Sequence, residues 1–315
     1  MSDLPEQSTQ RSATPHCSAL ARADGATLVG TAESVDVWLL LEYAAAWRPK
    51  AVTDNALSPK INAWLASAVR RIENDLQLNA RVQFIRQPER AGLAPQLLIV
   101  RSGEATRAVY QFILNDYDAL LAVDPVATVR GEPGQSGELI DVPIYLVCTH
   151  GQRDRCCARF GTPVYAHLAQ IYGASVWQTT HIGGHRYAPN LVCLPEGLIY
   201  GFADPDIAVE LVDAARQGEI VLRQLRGRTC FPSYVQVAEH AARRRTGTTF
   251  IDALRLSGDR DLGNDTWRVT FEVAGRGRIA VTVKSAAPIE VQASCGDGQM
   301  KRIDQYVALD EAAGA

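Results

Sequence analysis

Residues 142–180 read VPIYLVCTHGQRDRCCARFGTPVYAHLAQIYGASVWQTT. The segment opens on an apolar run, Val142 to Cys148. It continues from Cys157 to Tyr172 with apolar positions at helical spacing (Phe160, Val164, Leu168, Ile171), and closes on a second extended stretch, Ser175 to Thr180. A short continuous apolar run suits a strand buried on both faces, and recurrence every three or four residues suits a helix. Strand, helix, strand is a parallel crossover, which is right-handed in folded proteins. Downstream, Asn190–Leu194 and Leu198–Phe202 flank Pro195-Glu196-Gly197 as a hairpin, and Asp204-Pro205 opens a helix through Ile207, Leu211 and Ala214.

The first half of the chain spells the same order. Val35 to Tyr43 reads as a buried strand; Ser58-Pro59 starts an amphipathic helix carrying Ile61, Trp64, Leu65, Ala68 and Ile72 on one side. Extended segments follow at Arg81–Gln87, Gln96–Arg101 and Arg107–Leu114, and Asp116 caps a short helix through Val123. The expected fold class is therefore α/β: two tandem thioredoxin-like units, mixed sheets flanked by helices, plus a small β-rich C-terminal appendage. The expected boundaries are a flexible tail over 1–27, a first unit over 28–129 lacking the cysteine-histidine set, and a linker over 130–138. A second unit over 139–218 carries the set, and a helix plus β-rich extension covers 219–315. In that extension Ile220–Arg226 reads as extended and Ser233–Arg245 as a helix. Arg268–Val273, Arg278–Lys284, Ile289–Ala293 and Ile303–Leu309 read as strands.

Composition narrows the function. With 315 residues, 47% hydrophobic and 21% charged, the chain is globular, and a net charge of -3 gives no electrostatic footprint for nucleic acid or anionic membrane. The first sixteen residues lack the apolar core of a signal peptide, and the run Val37–Ala46 is interrupted by Glu42 and too short to span a bilayer. A soluble, cytoplasmic protein is expected. Its seven cysteines are an odd number, which argues for metal or redox chemistry at some and against a disulfide framework. Cys17, Cys193, Cys230 and Cys295 are scattered and read as small buried side chains.

Three cysteines fall close together, in Cys148-Thr149-His150-Gly151-Gln152-Arg153-Asp154-Arg155-Cys156-Cys157, followed by His181-Ile182-Gly183-Gly184-His185. Two thiols and two imidazoles suit zinc or an iron-sulfur cluster, and His-for-Cys replacement raises the potential of a [2Fe-2S] centre. Cys148 ends one strand, Cys157 opens the next helix, His181 ends the parallel strand and His185 lies in the loop beyond it. All four belong to the carboxyl edge of one sheet, where ligands gather. The two glycines allow a tight backbone between the imidazoles. Cys156 and Cys157 compete for one ligand position, since neighbouring side chains diverge; Cys157 is preferred, with Cys156 packing beside the site. His150 reads as a turn or supporting residue. Arg153-Asp154 reads as a local ion pair. Arg153, Arg155, Arg159 and Arg186 read equally as a solvated face and as cations that favour a reduced cluster. Arg226, Arg228 and Arg243-Arg244-Arg245 are candidates for docking an acidic redox partner, although a charge run is more often simply solvated.

Cys-Thr-His-Gly-x-Arg-Asp-x-Cys-Cys with His-Ile-Gly-Gly-His-Arg-Tyr-Ala-Pro-Asn resembles the sucrase/ferredoxin-like family, as do Gly30-Thr31-Ala32, Trp38-Leu39-Leu40-Leu41-Glu42 and Ala293-Ser294-Cys295-Gly296-Asp297. The resemblance implies a thioredoxin-like ferredoxin domain with one [2Fe-2S] cluster held by two Cys and two His, which map to Cys148, Cys157, His181 and His185. One departure is that many relatives have Arg-Cys-Gly where this chain has Cys156-Cys157-Ala158, which adds a neighbouring thiol as an alternative ligand. The implied function is electron transfer, coupled to protons if both imidazoles bind one iron, as a carrier or a component of a reductase system. Protein donors and acceptors would supply and take the electron, since no G-x-G-x-x-G fingerprint marks a nicotinamide or flavin site. Three other readings stay open. These are a zinc site, thiol-disulfide chemistry at Cys148 or the Cys156/Cys157 pair, and a cluster that stabilises the fold or senses iron or oxidants.

Overall fold

The computed structural model describes residues 16–134, 137–295 and 299–309. The chain enters through α1 (Cys17–Ala23), inside the stretch expected as a tail; Cys17, Ser18 and Ala21 turn inward, and their burial holds this helix in place. Residues 1–15 of that expected tail lie outside the described residues.

In the first half, β1 (Val37–Glu42) is buried at every position, as its apolar continuity requires. Next comes α2 (Pro59–Leu76), with Pro59 in the first turn, where a missing N–H costs nothing; it buries Ile61, Leu65, Ala68 and Ile72. After β2 (Ala80–Arg86), β3 (Gln96–Ser102) and β4 (Arg107–Ile113), the Asp116 carboxylate accepts the Asp118 and Ala119 N–H groups. It thereby starts a 3-10 helix over Tyr117–Ala122. A further short helix, α3 (Pro125–Arg130), is capped by Asp124 and was not expected; its signal was Asp124-Pro125 before and Gly131 after. β5 (Glu138–Ile140) then adds to the edge beside β4. Gln135 and Ser136 of the expected linker lie outside the described residues.

The second half repeats the order: β6 (Ile144–Cys148), α4 (Arg155–Tyr172), β7 (Val176–Thr179), β8 (Leu191–Leu194), β9 (Leu198–Tyr200) and α5 (Pro205–Arg216). Pairing repeats as well. β1 lies parallel to β2 and antiparallel to β3, with β4 outside; β6 lies parallel to β7 and antiparallel to β8, with β9 outside. The mixed α/β class is as expected, with one added fact. The two halves join through β2 and β7, antiparallel, with Ile85 opposite Thr179 and Arg86 opposite Gln178. With β10 (Leu225–Arg228) at one edge, this makes a single ten-stranded sheet in the order β10-β9-β8-β6-β7-β2-β1-β3-β4-β5.

Each half covers one sheet face with its own helices. Leu39, Leu41 and Phe84 pack with Ile61, Leu65 and Ile72, and Tyr145 and Val147 pack with Val164, Leu168 and Leu211. Trp38, Leu40 and Val100 of the first half share a third apolar cluster with Leu146, Val192 and Ile199 of the second, and that cluster also contains Cys148 and Cys157. The C-terminal region places α6 (Ser233–Thr246) on a separate antiparallel sheet of β11 (Leu254–Gly263), β12 (Thr266–Val273), β13 (Gly277–Gln292) and β14 (Met300–Ala308). β13 is one strand where two were expected, because a register irregularity between Ala286 and Ile289 carries it through the break in pattern.

Two sequence expectations for arginines are overturned. Arg226, Arg228 and Arg243 do not sit on a docking face or in solvent; all three are fully buried. Arg228 and Arg243 both pair with buried Glu239, at 3.2 and 2.8 Å, because the β10 edge lies under α6. Among the described residues no helix is long and apolar enough to cross a membrane.

Candidate metal centre

The site grows from the ends of β6 and β7 and the first turn of α4. β6 delivers Cys148 to its carboxyl end, 1% exposed, and the chain then turns through Thr149–Arg153 into α4. Asp154 starts that helix: its Oδ1 accepts the Cys156 N–H at 2.9 Å. The helix runs close against the strand, since a Cβ on Gly161 would strike the Cys148 carbonyl oxygen. Cys157 faces inward from the first turn, and its Sγ lies 3.4 Å from His181 Nδ1. The Cys148 and Cys157 thiols and an imidazole nitrogen of His181 all lie within 4.8 Å of one another.

His185 stands just outside that group. Its ring centroid is 5.7 Å from that of His181, and its Nε2 is 3.8 Å from Asp154 Oδ2, beyond hydrogen-bond reach. That nitrogen is buried and, among the described residues, without a hydrogen-bond partner, an orphan donor-acceptor at the margin of a thiol-imidazole group. Burial lowers the pKa of His185, with Asp154 pulling the other way, so the ring is neutral and free to offer a lone pair near neutral pH. The donor set and this orphan nitrogen fit a thiophilic metal or a small iron-sulfur cluster.

The loop that presents both imidazoles is held from several sides. His181 N–H donates to His150 Nδ1 at 3.2 Å, which obliges the other nitrogen of His150 to carry its proton toward the Arg48 carbonyl at 3.0 Å. Arg81 donates to the His181 carbonyl at 2.9 Å, Arg226 to the Gly183 carbonyl at 3.2 Å, and Asn190 to the Gly184 carbonyl at 2.9 Å. Gly183 and Gly184 both have positive φ, +85° and +68°, and a Cβ on either would collide with Glu33 or with the Arg226 guanidinium. Burial lowers the Arg226 pKa to about 10, yet it stays charged. Its role is to anchor this loop, a function its position in sequence did not signal.

Electrostatically the two thiols are driven in opposite directions. Cys148 is held well below the ordinary thiol value by hydrogen bonds from Cys157 and His181 that outweigh burial, and Cys157 is pushed up by the same contact. The expected Arg153–Asp154 pair gives way to other partners, because Asp154 points inward. Its Oδ2 accepts the Ser294 hydroxyl at 2.9 Å and the Cys295 N–H at 3.0 Å.

Cys156, expected to pack beside the site, faces away from Cys157 into a second group with Cys17 and Cys295, two residues expected to be ordinary buried side chains. The three Sγ atoms stand 3.3, 3.0 and 3.1 Å apart pairwise, and all three are free thiols. Hydrogen bonding to Cys17 lowers the Cys156 pKa to about 6. Among the described residues Cys193 and Cys230 belong to no such group; burial, with the nearby Glu196 charge adding to it, raises the Cys193 pKa.

The site opens on a groove of about 1480 Å³ whose walls include His150, His181 and His185. Arg70, Arg153, Arg186, Lys301 and Arg302 line it, against the carboxylates of Glu33 and Asp304.

Residues 28–227 match the family model described as sucrase/ferredoxin-like. One curated relative is altered inheritance of mitochondria protein 32 of Meyerozyma guilliermondii, 33% identical over 95 residues, which is 27% of this chain and 34% of that protein. The chain thus spans about a third of that relative's length. Among solved structures, a cysteine-to-serine variant of the thioredoxin-like [2Fe-2S] ferredoxin from Aquifex aeolicus aligns with 20% identity and a TM-score of 0.24, covering 26% of this chain and 96% of that one. That likeness is too slight to argue from. The family match covers most of both sheet halves and the whole thiol-imidazole edge, and the chain belongs to the sucrase/ferredoxin-like family.

Proposed function

We propose that this protein is an electron carrier that holds one [2Fe-2S] cluster through Cys148, Cys157, His181 and His185. The observation that carries the reading is the convergence of two buried thiols and the His181 imidazole at the carboxyl edge of β6 and β7, with the orphaned His185 nitrogen beside them. When bound, such a cluster supplies a one-electron acceptor whose potential lies above that of all-cysteine ferredoxins because imidazole ligands are neutral. The protein's own part is positional. Cys148 and Cys157 anchor the inner side, sealed by Trp38, Ile182 and their neighbours from solvent. The imidazoles form the outer side toward the groove, and His150 fixes the His181 backbone, so the histidine edge is the route by which an electron leaves or arrives. The cationic groove wall suits an acidic protein partner, steered by long-range attraction that salt weakens.

Anaerobic purification followed by iron and acid-labile sulfide analysis tests the reading, with about two of each per chain expected for one [2Fe-2S] cluster. Visible absorption and an electron paramagnetic resonance signal after reduction should accompany them. Cys157→Ala should lose both iron and colour, and His185→Ala should lose iron or shift the reduced-state signal. A second reading, a mononuclear zinc ion, draws on the compactness of Cys148, Cys157 and His181. A colourless protein whose zinc is lost in Cys157→Ala would establish that reading and remove the first.

A further inference from the structure

Cys17, Cys156 and Cys295 come from the N-terminal helix, the first turn of α4 and the loop after β13, three segments that share no sheet. Their apolar surroundings are thin: among the described residues the cluster contains only Ala188 and Phe160 besides the three cysteines, too little hydrophobic burial to explain why the chain converges here. A disulfide does not explain it either. Three mutually adjacent thiols are one more than a disulfide uses, and the Sγ separations of 3.0 to 3.3 Å are nearly equal. A trigonal set of sulfurs is instead what a thiophilic cation requires on one side. A fourth donor is at hand, since His16 Nδ1 lies 4.0 Å from Cys156 Sγ, its ring steadied edge-on against Phe160 with centroids 5.4 Å apart. A carboxylate oxygen of Asp154 also lies within 4.8 Å of the three sulfurs, but its oxygens already accept the N–H groups of Cys156 and Cys295 and the Ser294 hydroxyl, which fixes the thiols in place and makes the imidazole the freer fourth donor.

We propose that Cys17, Cys156, Cys295 and His16 hold a structural zinc ion, a second metal site separate from the Cys148, Cys157 and His181 group. Three cysteines and one histidine are an ordinary structural zinc set. Zinc-sulfur bonds of about 2.3 Å place sulfurs about 3.8 Å apart in a tetrahedron, so an ion spreads the present triangle by about 0.5–0.8 Å per edge. Binding displaces the thiol protons, and the N-terminus of α4 and the Cys17 N–H, 3.3 Å from Cys295 Sγ, favour the resulting thiolates. The ion ties the first helix and the C-terminal sheet to the helix that carries Cys157. Vicinal Cys156 and Cys157 thus serve two sites, because adjacent residues in a helical turn point about 100° apart.

The inference stands whether or not the iron-sulfur reading holds, and one experiment separates them. Zinc and iron are measured together in the full chain purified from zinc-supplemented medium, for the wild type and for Cys17→Ser, Cys295→Ser and Cys148→Ala. Expected are one zinc per wild-type chain, loss of that zinc with iron and visible spectrum retained in Cys17→Ser and Cys295→Ser, and retained zinc in Cys148→Ala. Circular dichroism confirms that the serine variants are folded. Competition with a chromogenic chelator should show His16→Ala releasing zinc at least tenfold more readily. Wild-type protein without zinc whose three thiols are all alkylated, a disulfide among them, or loss of iron in place of zinc in Cys17→Ser would overturn the site. Unchanged chelator competition in His16→Ala would overturn the four-ligand assignment.

Discussion

Gly184 concentrates the requirements of the imidazole loop in one residue. Its φ of +68° disfavours any Cβ, and that Cβ would lie 2.5 to 2.8 Å from the guanidinium of Arg226, which is itself locked to Thr31 and Asn190. Gly218 has a similar φ of +73° with open space around it and serves as a control. Gly218→Ala should cost about 1–2 kcal/mol from the left-handed backbone alone. Gly184→Ala should cost about 1–3 kcal/mol more through the displaced arginine, read as the difference in urea midpoints, and on the proposed cluster site should also lower iron content. Equal midpoints would show that the guanidinium yields freely. The glycine pair was legible in the sequence as a place where the backbone must fold tightly. That Arg226, some forty residues later, holds it was not, because nothing in an isolated arginine distinguishes a buried anchor from a solvated charge.

Elements carry the next level of constraint, and α6 shows it through charge. Burial pushes the Glu239 pKa up, but Arg243 and Arg228 outweigh it and hold it below the ordinary value of 4.5. Removing that charge leaves two buried guanidinium groups without their shared partner. Glu239→Gln should therefore cost about 3–5 kcal/mol at pH 7 by chemical denaturation. A carboxylate with a depressed folded-state pKa contributes stability that is complete above its unfolded pKa and lost as pH falls through the folded one. The gap between wild type and Glu239→Gln should be full above about pH 4.5 and narrow steadily below it; a constant gap down to pH 3 would refute the charge argument. Another constraint sits where α4 crosses β6. Gly161→Ala drives a methyl into the Cys148 carbonyl, so it should cost about 1–3 kcal/mol by thermal denaturation and, on the proposed cluster site, diminish iron retention, whereas an exposed helix position would gain from alanine.

The whole molecule is held by a narrow seam and a broad shared core. β2 and β7 pair through only Ile85–Thr179 and Arg86–Gln178, with Arg86 Nε also donating to Gln178 at 2.9 Å. Behind the seam, side chains of both halves fill one apolar cluster. Separate domains would open independently, whereas a shared core couples them. Hydrogen exchange in rising denaturant should show the slowest amides of β1 and β6 merging onto one opening free energy. Two distinct limits would mean that the seam, and not the core, sets cooperativity.

Local pattern determined the elements: continuous apolar runs gave β1 and β6, helical spacing gave α2 and α4, and Asp116 and Ser58-Pro59 marked helix starts. The edge bearing Cys148, Cys157, His181 and His185 was legible for the same reason, since strand ends and their following loops are positions that sequence order alone defines. Tertiary structure decided the rest. It merged two halves into one sheet, buried Arg226, Arg228 and Arg243, and brought Cys17 and Cys295 to Cys156. Each of these two is 139 residues from Cys156 along the chain, and periodicity carries no information about encounters at that separation. Only the closing of the sheet and the return of the C-terminal strands place those thiols side by side.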